Sequence, residues 1–125
     1  MKTFLHYLLL LVLFIFSVAA KAQVPVMSSY PSAAATIFLD FDGHLVEGTS
    51  WNFNGPVHCG PSNLTNAQMI EIFNRVAEDY RPFNVNVTTD STKYISAPAT
   101  QRIRVIHTVS YEWYGSTAGG VSFYG

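Results

Sequence analysis

The first periodic signal is an alternation over residues 36–41. In Thr36-Ile37-Phe38-Leu39-Asp40-Phe41, the side chains of Ile37, Leu39 and Phe41 share one side and Phe38 and Asp40 the other, which is the two-residue period of a β-strand. Asp42-Gly43 ends it with a turn signal. Residues 43–63 mix Gly, Asn, Pro and aromatics without a helical period, and Asn54-Gly55 between Phe53 and Val57 predicts a tight hairpin or loop. Thr65-Asn66-Ala67-Gln68 then has the spacing of a capping box, with Leu64 and Met69 at the positions of a hydrophobic staple. Ile70, Phe73, Val76, Ala77 and Tyr80 follow at helical spacing, with Glu71, Asn74, Arg75, Glu78 and Asp79 on the other side. Pro82 ends the helix, because the residue before a proline is pushed toward extended geometry.

Two more alternations follow. Phe83, Val85, Val87 and Thr89 alternate with Asn84, Asn86 and Thr88, and Ile103, Val105 and His107 with Arg104 and Ile106. Residues 90–101 read as a polar loop, and Val121-Ser122-Phe123-Tyr124 as a last strand behind Gly119-Gly120. A helix between the first two strands implies a crossover and parallel pairing. The expected fold is therefore α+β: a mixed, mostly parallel sheet with one long covering helix. One helix with one apolar face covers one side of a sheet, so the opposite side is expected to need further polypeptide, as in an incomplete domain.

The N-terminus adds a compartment. Lys2 precedes an uncharged, Leu-rich run from Tyr7 to Ala20, and Ala20-Lys21-Ala22 supplies small residues at the positions a signal peptidase reads. The run is shorter than the ~20 apolar residues of a membrane span. Residues 1–22 are thus predicted to be a signal peptide cleaved after Ala22, giving a secreted protein with no membrane segment after cleavage. Residues 23–35, small, polar and Pro-containing, read as a flexible lead-in. Beyond the leader the chain carries five basic and eight acidic residues, net −3. That scatter excludes a nucleic-acid-binding surface.

Candidate chemistry is sparse. Phe38-Leu39-Asp40-Phe41-Asp42-Gly43 resembles the first motif of haloacid-dehalogenase-like phosphatases, in which the first Asp is a nucleophile and the second a general acid/base. His44 stands where that motif has Thr, and no matching later motif set follows. A calcium loop would need more oxygen ligands than Asp40 and Asp42. His44, His58 and His107 show no metal-ligand spacing. Cys59, the single cysteine, has no intrachain partner. Asn63-Leu64-Thr65 and Asn86-Val87-Thr88 fit the glycosylation sequon, the first also serving as a helix cap and the second lying in a strand. Gly119-Gly120 before the last strand would let another backbone approach, so an extended peptide could add to that edge.

Taken in order, several segments resemble one family. Ile37 to His44, Thr49-Ser50-Trp51-Asn52, Arg75 to Asp90, Trp113-Tyr114-Gly115 and Ala118 to Phe123 are together similar to the N-terminal part of the catalytic domain in secreted bacterial zinc metallopeptidases of reprolysin-like, metzincin type. The resemblance spans residues 36–125 and is densest from Arg75 to Thr89. It implies a mixed sheet with a covering helix and an antiparallel edge strand that pairs with a polypeptide substrate. By position, Gly120, Val121, Ser122, Phe123 and Tyr124 correspond to that strand and are the substrate-binding candidates. The family's zinc helix, His-Glu-x-x-His-x-x-Gly-x-x-His, does not occur here. Zinc is therefore expected of the complete protein and not of this chain, no catalytic or metal residue transfers, and the fragment itself is expected to be inactive. The alternative from another class is an exported, non-enzymatic binding module that uses an exposed edge strand.

Overall fold

The computed structural model describes residues 23–122. The predicted leader at 1–22 and the site candidates Phe123 and Tyr124 lie outside the described residues. The chain is α+β, with β1 (Ala35–Asp40), β2 (His44–Val46), β3 (Val57–Cys59), α1 (Asn66–Asp79), β4 (Val85–Thr88), α2 (Ser91–Ser96) and β5 (Arg102–Ile106).

Three strands form one parallel sheet in the order β4-β1-β5, with β1 central. The β1–α1–β4 unit is the crossover that the order of elements implied. Register sets the faces. Ile37 pairs with Val87 and Ile103, and Leu39 with Val105, so these side chains share the α1 side. Leu39, Phe41, Val87, Met69 and Phe73 are the buried core there.

Helix α1 starts as its sequence dictates. The Thr65 hydroxyl accepts from the Gln68 N–H, and Gln68 Oε1 accepts from the Thr65 N–H at 2.9 Å, closing the capping box. The packed stripe is Met69, Ile72, Phe73, Val76 and Ala77, which keeps Phe73, Val76 and Ala77 of the predicted face and has Met69 and Ile72 in place of Ile70 and Tyr80. Ile70 and Tyr80 sit at its exposed margin, because positions spaced by three and four from Met69 define the tighter face.

The structure corrects three expectations. First, residues 90–101 are not a featureless loop. Asp90 caps α2, its carboxylate accepting from the Thr92 N–H at 2.9 Å. That short helix lies over the sheet face opposite α1. Tyr94 stacks on Phe38, with ring centroids 5.3 Å apart, so the second face is not bare. Second, the lead-in is tied down. The Ser29 N–H donates to the Val87 carbonyl, and the Thr89 N–H to the Met27 carbonyl. Asn86, 1% exposed, accepts from Ser28 Oγ and the Tyr30 N–H. These bonds close the outer edge of β4 with an antiparallel bridge. Third, Gly120, Val121 and Ser122 belong to no strand.

The hairpin exists, with a longer connection than Asn54-Gly55 implied. Strands β2 and β3 pair antiparallel across residues 47–56. Gly43 turns the chain from β1 into β2 at φ 93°, where a Cβ would sit 2.9 Å from the Cys59 carbonyl oxygen. A side chain there meets both backbone strain and backbone atoms.

Candidate functional site: an open sheet edge and a buried charge cluster

One edge of the sheet is closed by residues 27–29, and the other, β5, is open. The His107 N–H donates to the Asp40 carbonyl at 2.8 Å. Backbone groups alternate along a strand, so those of Arg102, Arg104 and Ile106 point away from β1, and no described strand pairs with them. Ile103 and Val105 remain 58% and 38% exposed on the α1 side, whereas Ile37, Leu39 and Val87 belong to the cluster that packs with Met69 and Phe73 of α1.

This edge borders a groove of about 1100 Å³. Its lining includes the hairpin residues Val46 and Cys59 together with Val109, Tyr111 and Gly119 to Ser122. Of the predicted substrate-binding residues, Gly120, Val121 and Ser122 thus face the groove. The segment after β5 is anchored by Trp113, which packs edge-on against Trp51 at 5.5 Å and donates from Nε1 to the Ser110 carbonyl. Both Trp side chains pack on Val46, Val57 and Cys59.

The second feature is the charge cluster at the carboxyl end of β1. Open parallel sheets place their ligand crevices at strand carboxyl ends. Asp40 is 3% exposed, and its Oδ1 accepts from the Asp42 N–H at 3.3 Å. Arg104 Nε lies 3.5 Å from Asp40 Oδ2. Burial, aided by the Asp42 carboxylate and opposed by Arg104, pushes Asp40 up to about 7. Arg104 also lies against the His44 ring and over the rings of Tyr94 and Phe38. Burial and the adjacent guanidinium hold His44 below the usual imidazole range. His107 stacks on Phe41 at 4.4 Å, and its burial likewise favours the neutral ring. The Cys59 thiol is raised by burial and then by the Asp40 charge, so it is a poor nucleophile.

These positions limit the chemistry. A phosphatase nucleophile must be ionised and reachable. Asp40 is enclosed, and its raised pKa favours the protonated form below about 7, so this carboxyl is poorly placed to attack a substrate. Among the described residues no group of three or more His, Cys, Asp or Glu side chains is placed to hold a metal ion. His44 is engaged by Arg104, and His107 by Phe41. No helix among the described residues is long and apolar enough to cross a membrane.

Fold and groove together define an α+β domain with one open parallel edge. Compared with protein-family models, curated proteins and solved structures, the chain finds no match.

Proposed function

We propose that this domain is the polypeptide-binding, N-terminal part of the catalytic domain of an exported zinc endopeptidase of metzincin type. The observation that carries the reading is the unpaired β5 edge beside a partly apolar groove, a surface suited to an extended peptide. Three outward-facing residues, Arg102, Arg104 and Ile106, offer main-chain donors and acceptors, and Ile103 and Val105 offer apolar contact. Gly120, Val121 and Ser122 also line the groove. The family resemblance supplies the hydrolytic half of the proposal. Zinc and its ligands would come from polypeptide other than the residues described, and this chain's own part is to bind and align the substrate.

The same edge also favours a second reading, a binding module that pairs with extended peptides and cleaves nothing. One experiment separates the two. The natural reading frame, extended through any coding sequence that follows residue 125, is expressed and assayed with zinc against an unstructured polypeptide. Cleavage that a chelator abolishes is the expected result. A reading frame that encodes no zinc helix and cleaves nothing overturns the protease proposal, and peptide binding without cleavage then selects the module.

A further inference from the structure

Arg104 is where three parts of the molecule meet. It leaves β5, passes under Tyr94 of α2, and reaches Asp40 at the end of β1 and His44 at the start of β2. We propose that Arg104 is an acid-sensitive latch that holds the β2–β3 hairpin against the parallel sheet, with His44 as the partner that acid turns against it.

The latch follows from what each group can offer. A neutral imidazole has a ring nitrogen that accepts from a guanidinium, whereas a protonated one has only donors and carries the same charge. Asp40 works in the opposite sense, because burial outweighs Arg104 there and its protonation favours the enclosed arrangement. The groups facing Asp40 are Asp42 from the β1–β2 turn, Arg104 from β5 and Cys59 from β3. Those facing His44 are Arg104 and Asp42. Acid therefore works on the latch through His44. His44, held below its ordinary 6.5, gains charge against Arg104 at lower pH. Other contacts of the hairpin include the Val46, Val57 and Cys59 cluster with Trp51, Ile106 and Trp113. Since β2 and β3 line the groove, releasing them would widen it.

The chain has two tryptophans, Trp51 and Trp113, and both sit in that cluster. Their emission therefore reports hairpin docking, while far-UV circular dichroism reports the helices. For the full chain, emission is expected to shift to the red between pH 8 and pH 5 without loss of helical signal. Arg104→Gln removes the bridge and is expected to emit at the red-shifted position at every pH. His44→Gln keeps an acceptor that does not titrate and is expected to start at the wild-type position at pH 8 and shift less on acidification. Where Arg104→Gln loses its helical signal, the comparison of His44→Gln with wild type decides alone. Emission that is constant from pH 8 to pH 5, or a His44→Gln titration superimposable on wild type, overturns the latch.

Discussion

Replacing Asp40 with Asn tests how the buried carboxyl couples folding to pH. Asp40 ends the central strand at 3% exposure, and its pKa rises from 3.8 to about 7, chiefly because burial disfavours the charged form. A carboxyl whose folded pKa is raised binds its proton more tightly in the folded state. Its stabilising contribution is complete below the unfolded value of 3.8 and is lost as pH rises through about 7. Each pH unit is worth about 1.4 kcal/mol, so the whole interval amounts to roughly 4 kcal/mol. Asn cannot ionise and keeps nearly the same shape. The stability of Asp40→Asn relative to wild type should therefore improve by roughly 4 kcal/mol between pH 4 and pH 8, whatever the offset at pH 4. Urea unfolding at four or five pH values measures both proteins. Carboxyls that titrate alike in both cancel in the difference, so Asp40 alone sets its slope. A difference that stays constant across this interval, or that moves in favour of wild type as pH rises, refutes the reasoning. It would show that Arg104 outweighs burial at this site.

Two further predictions test the packing. Thr65→Ala removes the hydroxyl that accepts from Gln68 at the start of α1 and should cost about 1 kcal/mol, read as a lower urea midpoint with an unchanged slope. Phe73→Ala empties the centre of the α1 stripe, where the ring is 8% exposed, and should cost roughly 3–5 kcal/mol. Stability equal to wild type would remove Phe73 from the core.

The parts legible in sequence are those whose cause is local. The Thr65-x-x-Gln68 box, the alternation around Leu39 and the proline at 82 act within a few residues, and the structure contains the helix and strands they imply. The six-residue α2 escaped because Ser91 to Ser96 has no helical apolar stripe. Its available signal was the Asp90-Ser91-Thr92 start, a side-chain cap that resembles an ordinary turn. The hold on the lead-in was invisible for another reason. It depends on Asn86 and Thr89, polar residues in a strand whose partners lie about sixty positions away. The charge cluster is likewise non-local, with Asp40 and Arg104 brought together only by parallel pairing.

The helix missed in sequence moves the physical argument for a missing cover rather than removing it. The expectation placed the bare surface on the sheet face opposite α1. That face is occupied by Tyr94, Arg102 and Arg104, and Phe38 beneath them is buried. The uncovered apolar surface lies instead on the same side as α1, at β5. Register puts Ile103 beside Ile37 and Val105 beside Leu39, yet the inner member of each pair is packed and the outer one is open. The cluster that packs with α1 takes in Ile37 and Leu39 of β1 and Val87 of β4 but neither Ile103 nor Val105. Among the described residues, what β5 lacks is therefore a neighbour in the plane of the sheet and an apolar cover on one face. An extended segment that pairs with Arg102, Arg104 and Ile106 supplies the first, and its alternate side chains can extend over Ile103 and Val105 to supply the second. Both deficits meet at a single edge, which is why strand addition at β5 explains more of this structure than chemistry at Asp40.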